Sequence, residues 1–150
     1  MPNTPARIGL GVTAVSFGEE IAADRRQQVL DLLSALGAVV QIPEVQMDGF
    51  AAIAGSGPAY VFLMLEALAA EAEARGFEPA VARTMASQMV RGAVGLAQED
   101  GRDPALLRRE VTSPKGMTEA ALAVLYQRDW PGHLREAIGA AARRGAELAG

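Results

Sequence analysis

Two long segments of the chain carry apolar or small side chains on almost every face of a helix. The first runs from Ala59 to Ala70, with Glu66 as its only charge, and the second runs from Pro79 to Ala97. A helix without a polar face is buried on most sides, and a bundle of this size cannot easily bury two such helices alone. We therefore expect a partner chain to cover them. The alternative is a compact monomer with an alanine-rich core.

The composition excludes several classes of function. The 150 residues have a formal net charge of -4, whereas nucleic-acid binding needs clustered cations. There is no cysteine and His133 is the only histidine, which excludes thiolate chemistry and leaves little scope for a metal site or a catalytic triad. The longest apolar run, Ala59 to Leu65, is too short to span a bilayer, and no signal peptide is present. We expect a cytoplasmic protein with no metal, nucleic-acid or membrane partner.

The pattern of apolar residues changes near Met47. Before it, residues 7–17 alternate as a strand does, 20–36 have the helical period, and 38–42 form a short apolar strand. After it, every apolar pattern has helical spacing. The predicted helices cover 48–54 (with Asp48 as its cap), 58–75, 79–98, 104–110, 114–127 and 131 to the C terminus. The prediction is a mainly α fold with a strand–helix–strand unit before an all-helical region.

A helix start able to hold an anion is predicted from Ser113 onward. Ser113 is a good N-cap, and Pro114 is favoured at the first helical position. The N–H groups of Gly116, Met117 and Thr118 would then point out of the helix end, where the macrodipole favours negative charge. The hydroxyls of Ser113 and Thr118 would grip a carboxylate from both sides. The alternative is an ordinary capped helix that binds nothing.

Three segments, taken in order and spacing, carry a resemblance to a known family: Met1–Ala6 (MPNTPA), Gly55–Tyr60 (GSGPAY) and Val111–Leu122 (VTSPKGMTEAAL). Together they resemble the C-terminal half of a pyrroline-5-carboxylate reductase, which makes proline by reducing a cyclic imine with NADPH or NADH. The resemblance covers essentially the whole chain. It implies that residues 1–45 are the edge of an incomplete Rossmann-like dinucleotide domain. It also implies that 46–150 are an all-helical dimerisation and substrate-binding domain, forming a homodimer or higher homo-oligomer.

The resemblance implies roles for the residues at the predicted helix start. Ser113, Gly116, Met117 and Thr118 fall where the family holds its substrate, with backbone N–H groups taking the carboxylate. The Thr118 hydroxyl would lie near the ring nitrogen, where it orients the ring and assists protonation. Thr118 is therefore the candidate catalytic residue.

The resemblance implies contacts with only the nicotinamide end of the cofactor. Asn3, Thr4 and Pro5 fall close to the nicotinamide in the family, and the cofactor supplies the hydride. No Gly-x-Gly-x-x-Gly follows an N-terminal strand, and Gly9 and Gly11 lie in a strand pattern that opens no helix. We therefore expect no NADPH or NADH binding by this chain alone.

Departures from the family pattern leave alternatives open. Lys115 replaces the first of two glycines, and either faces solvent or adds a cation beside the carboxylate; Met117 replaces a smaller residue. The charged side chains of Asp103, Glu110 and Glu119 are interpreted as lying on solvated helix faces. An alternative interpretation of the chain is a non-enzymatic helical assembly module that has lost the chemistry. Another alternative is a dehydrogenase domain acting on a different imine or on a hydroxy acid.

Overall fold

The computed structural model describes residues 1–149, and the fold is mainly α. The chain divides into two compact units. The first contains Met1–Val61 and the chain from Arg135 onward, and the second contains Phe62–Leu134. A small strand–helix–strand element precedes the helices, as the sequence predicted.

The first unit opens with a short 3-10 helix and a parallel pair of strands. The 3-10 helix is Thr4–Ile8, and it is followed by β1 (Gly11–Val15), α1 (Ala23–Ser34) and β2 (Gly37–Gln41). The strands pair in parallel, an arrangement that needs a crossover connection, which α1 supplies.

The strand predicted over residues 7–17 is shorter in the structure. Pro5 lies in the first turn of the 3-10 helix, which continues to Ile8 and ends at Gly9 with a left-handed φ of 70°. Leu10 separates this turn from β1. The alternation at Ile8 and Leu10 is therefore not a strand pattern, because proline and glycine bend the backbone before pairing begins.

A nearly continuous helical stretch follows β2. It contains a 3-10 turn at Glu44–Gln46, α2 (Met47–Phe50), a π-helical turn at Ala51–Gly55, and α3 (Gly57–Ala74). The prediction that Asp48 caps the first of these helices is wrong. Pro43 has an extended backbone and starts the helical stretch five residues earlier, so Asp48 lies inside it.

The remaining helices are α4 (Pro79–Asp100), α5 (Pro104–Glu110), α6 (Met117–Gln127) and α7 (Trp130–Ala149). Local sequence signals mark several of the helix ends. Gly76 and Gly101 follow α3 and α4 with φ of 89° and 70°, the left-handed conformation that favours glycine at a helix end. The Ala105 N–H donates to Asp103 Oδ1 at 2.8 Å, which caps α5.

Buried side chains in the second unit are few and small. Among its described residues, Ala72, Ala82 and Ala86 are buried. Large apolar side chains on the same helices are open to solvent, including Leu63 at 67% exposure and Met89 at 51%. The two segments without a polar face thus leave their larger side chains uncovered in the single chain, as expected of surfaces that a partner covers.

The stretch Glu44–Ala74 has the length and composition of a membrane span over its 31 residues. The longest run of consecutive apolar residues within it, Ala59 to Leu65, is much shorter, because small and polar residues interrupt the apolar ones. Such a helix is weak evidence for a membrane, since a helix that packs against a partner chain has the same profile.

Candidate functional site

Ser113 to Gly116 form a β-turn immediately before α6. The Gly116 N–H donates to the Ser113 carbonyl oxygen at 3.1 Å, which closes the turn. Pro114 occupies the second position and Lys115 the third, where its φ is 59°. This combination is typical of a type II turn, in which proline is common second and glycine is preferred third. Lys115 therefore holds a backbone conformation that glycine adopts without strain.

The helix begins three residues later than predicted. Gly116 is its N-cap, with an extended backbone (φ -86°, ψ 172°), and α6 starts at Met117. The assignment of Ser113 as N-cap and Pro114 as first helical residue is wrong, because the left-handed backbone of Lys115 cannot continue a right-handed helix. The Gly116 N–H was expected to be free and is instead committed to the turn.

The absence of a side chain at Gly116 is required by Ser113. A Cβ added to Gly116 would lie far inside van der Waals contact of Ser113 Oγ and 3.0 Å from the Ser113 carbonyl oxygen. The Ser113 hydroxyl therefore fills the space beside the Gly116 α-carbon. Any larger residue at 116 must displace this hydroxyl.

Glu119 caps the start of α6 from within the helix. It is the third helical residue, and its Oε2 accepts the Lys115 N–H at 2.7 Å. This differs from a capping box, in which the third helical residue accepts the N–H of the N-cap itself, because the bond here comes from Lys115, the residue before the N-cap Gly116. Glu119 is exposed, in agreement with its interpretation as part of a solvated helix face, and it makes this backbone hydrogen bond in addition.

The opening of α6 leaves backbone donors available. Within residues 1–149, the N–H groups of Met117 and Thr118 have no acceptor, and the Thr118 hydroxyl makes no hydrogen bond. Ser113 and Thr118 are exposed, and Met117 is 92% exposed. Local structure thus gathers the four candidate substrate residues at one helix start, with two first-turn N–H groups and two hydroxyls open to solvent.

A charged cluster holds the helix that leads into this turn. Arg102 donates to Asp100 Oδ1 at 2.5 Å and to Glu110 Oε1 at 2.7 Å, so it joins the end of α4 to the end of α5. The hydrogen bond from Arg102 lowers the pKa of Asp100. Glu110 is exposed, as the sequence indicated, and it is also an ion-pair partner of Arg102. Thr112 adds a hydrogen bond from Oγ1 to the Arg108 carbonyl at 2.6 Å.

Asn3 belongs to the other unit and connects the MPNTPA motif to the helical turn that precedes the GSGPAY motif. Its Nδ2 donates to the Ala54 carbonyl at 3.0 Å, and its Oδ1 accepts the Val12 N–H at 3.0 Å. The Tyr60 hydroxyl donates to the Ala52 carbonyl at 3.1 Å. Both carbonyls lie in the π-helical turn, where the wider backbone spacing leaves acceptors to be satisfied by side chains. The MPNTPA and GSGPAY segments thus each send one side chain to a carbonyl of the same π-helical turn, which the sequence did not predict.

The candidate cofactor residues differ in exposure and in hydrogen bonding. Both ends of the Asn3 amide are used by the scaffold, Thr4 is exposed, and Pro5 is half-buried. No glycine-rich turn connects a strand to a helix over the described range 1–149. No cluster of three metal-ligating side chains is found in the same range.

The solved structures most informative for this chain are two reductases. Its fold matches a pyrroline-5-carboxylate reductase from Coxiella burnetii with a TM-score of 0.95 and 37% identity, covering 99% of this chain and 55% of that one. It matches pyrroline carboxylate reductase from Plasmodium falciparum, solved with NADP bound, with a TM-score of 0.93 and 26% identity, covering 100% and 57%.

Sequence comparison gives the same family. The Synechocystis pyrroline-5-carboxylate reductase is 42% identical over 148 residues, which are 99% of this chain and 55% of the relative. Pyrroline-5-carboxylate reductase 1 of Bacillus subtilis is 36% identical, covering 99% and 50%. The chain spans about half the length of the curated relatives it matches. Residues 44–148 match the family model described as pyrroline-5-carboxylate reductase dimerisation, and the chain belongs to that family.

Proposed function

We propose that this chain is the dimerisation and substrate-carboxylate part of a pyrroline-5-carboxylate reductase. The reaction would reduce 1-pyrroline-5-carboxylate to L-proline with NADPH or NADH, a step of proline biosynthesis. One observation carries the proposal: in a member of this family, the Ser113–Gly116 turn and the start of α6 present two unused N–H groups and two exposed hydroxyls around one helix end.

The carboxylate of the substrate would bind at this helix start. The Met117 and Thr118 N–H groups donate to it, and the macrodipole of α6 stabilises the negative charge by about 0.3–1 kcal/mol at an exposed site. The Ser113 hydroxyl, held beside Gly116, adds a donor on the other side of the turn. This arrangement selects an anion and fixes which end of the ring faces the helix.

Thr118 would act on the imine nitrogen. Its hydroxyl is free of hydrogen bonds within the part of the chain that the structure describes, so it is available both to orient the ring and to assist protonation of the nitrogen. The dinucleotide, when bound, supplies the hydride. The role of this chain is to position and polarise the imine.

The exposed faces of α3 and α4 would pack against a second copy of the chain. Val81, Met85 and Met89 line one apolar groove on α4, and burying each such side chain contributes roughly 1.5–3 kcal/mol. The match of residues 44–148 to a dimerisation family supports a protein surface rather than lipid as the cover for Glu44–Ala74.

The activity is tested by joining the chain to the cofactor-binding half of the Synechocystis reductase and following oxidation of NADPH and NADH with 1-pyrroline-5-carboxylate. We expect turnover that depends on the imine and yields L-proline. A chimera that is dimeric and binds the dinucleotide but gives no turnover would favour the non-enzymatic assembly module. Turnover with a different imine or a hydroxy acid would identify another dehydrogenase.

A further inference from the structure

We propose that Glu119 is a positioning residue of the substrate-binding turn, holding Lys115 in the left-handed conformation on which the shape of that turn depends. The inference rests on the proposed function, because it concerns the same turn, and it assigns a role to a side chain that contacts neither substrate nor cofactor.

The turn requires an unfavourable backbone at Lys115. Its φ of 59° lies in the left-handed region, which brings Cβ close to the following carbonyl oxygen for every residue except glycine. Over residues 1–149 only one other non-glycine residue, Asp129, has a positive φ. Lysine has no short side chain that could stabilise this conformation by bonding to its own backbone, as asparagine or aspartate does. The stabilisation must come from a neighbouring group.

Glu119 supplies that group. Its Oε2 accepts the backbone N–H of Lys115 at 2.7 Å, a short, charge-assisted hydrogen bond of the stronger kind. The bond goes to the main chain and not to the ammonium group. A glycine at position 115 would therefore retain the bond, but it would no longer need it to hold a left-handed backbone.

The rest of the turn depends on this conformation. With Lys115 left-handed, the Gly116 N–H reaches the Ser113 carbonyl at 3.1 Å, and Ser113 Oγ lies beside the Gly116 α-carbon. If Lys115 moved to an extended or right-handed backbone, the closing bond would break and the Ser113 hydroxyl would leave the start of α6. Glu119 thus acts on the substrate through Lys115 and the turn.

The test is a double-mutant cycle in the chimera that carries the cofactor-binding half. Glu119→Ala should raise KM for 1-pyrroline-5-carboxylate by roughly five- to tenfold, the ratio expected for loss of one charge-assisted hydrogen bond at an exposed position. The values of kcat and of KM for the dinucleotide should change by less than about twofold, because Glu119 touches neither the reacting atoms nor the cofactor. In the Lys115→Gly background the same substitution should raise KM by less than about twofold.

Two further variants separate the hydrogen bond from other effects. Glu119→Gln keeps an acceptor oxygen, so its KM should stay within about twofold of the unmodified protein. Glu136→Ala removes an exposed glutamate of α7 and is the matched control. An unchanged KM in Glu119→Ala would overturn the inference, and so would a rise of KM that is equal with lysine and with glycine at position 115.

A readout that needs no activity distinguishes this inference from the proposed function. In the chain itself, amide hydrogen exchange at the Gly116 N–H should become at least about fivefold faster in Glu119→Ala. It should change little when the same substitution is made in the Lys115→Gly background. A chimera without turnover would refute the proposed function while these exchange rates still decide the role of Glu119. An exchange rate at the Gly116 N–H that is the same in Glu119→Ala as in the unmodified protein would refute the positioning role.

Discussion

The side chain of Asn3 donates to the carbonyl oxygen of Ala54 at 3.0 Å across 51 positions of sequence. The same amide accepts the N–H of Val12 at 3.0 Å. One half-buried side chain therefore connects the first turn of the chain, strand β1 and the π-helical turn that precedes α3.

Asn3→Ala should lower the free energy of unfolding by about 1–3 kcal/mol, because it leaves the Ala54 carbonyl and the Val12 N–H unpaired. Urea denaturation of the chain measures the loss. Thr4→Ala, at an exposed neighbouring position, is the control and should change stability by less than about 0.5 kcal/mol. If Asn3→Ala were as stable as the control, Asn3 would not be a scaffold residue, and its amide would be free for the nicotinamide.

Gly116→Ala adds only one methyl group, but it should disturb the substrate-binding turn. The new Cβ has to displace Ser113 Oγ and lies 3.0 Å from the Ser113 carbonyl, so we expect a loss of about 1–3 kcal/mol of stability. Gly49→Ala in α2, where nothing lies within 4 Å of the added Cβ, is the matched control. It should raise stability by up to about 1 kcal/mol, because alanine is the better helix former. Equal effects at the two glycines would contradict the packing of Ser113 against Gly116.

The chain should form a dimer through the apolar faces of α3 and α4. Light scattering at low micromolar concentration should give twice the chain mass of 15.7 kDa. Met89→Glu places a charge on the α4 groove and should weaken association by more than about tenfold, or 1.4 kcal/mol. Leu32→Glu changes an apolar side chain on α1 that is more exposed than Met89 and should leave the dimer intact. A monomer that instead binds phospholipid vesicles through Glu44–Ala74 would contradict a protein partner.

Stability should fall at low pH partly through the Arg102 cluster. The hydrogen bond from Arg102 lowers the folded-state pKa of Asp100 below its ordinary value of 3.8. A depressed folded-state pKa contributes stability that is present above the ordinary value and is lost as the pH falls through the folded value. Arg102→Met removes this contribution, so its stability deficit should be largest above about pH 4 and should shrink below it. A deficit that stayed constant from about pH 7 to about pH 2 would show that the bond to Asp100 does not contribute.

Helix ends marked by local signals were predictable from the sequence. Pro79 and Pro104 begin α4 and α5, and Gly76 and Gly101 follow α3 and α4, because each residue favours or forbids a backbone conformation by itself. The helical character beyond Met47 was predictable for a related reason, since the apolar spacing is sustained over many turns.

The turn before α6 was not predictable in the same way. Ser113-Pro114 suits both the N-cap of a helix and the first half of a type II turn. The residue that decides between them is Lys115, whose backbone is left-handed. Glycine at this position would have indicated that conformation in the sequence, whereas lysine does not. The bond between Asn3 and Ala54 has no local signal at all, since it depends on a contact between distant parts of the chain.

The most direct measurement of the central claim is kcat/KM of Thr118→Ala in the chimera with a complete cofactor-binding half. Thr118 is the exposed second residue of α6, and alanine is the better helix former, so the fold should survive with little change in stability. If the hydroxyl contacts the imine in the transition state, kcat/KM for 1-pyrroline-5-carboxylate should fall by roughly 10–100-fold, or about 1.4–2.8 kcal/mol. An unchanged kcat/KM in a folded, dimeric variant would contradict the account and reduce the start of α6 to a capped helix that binds nothing.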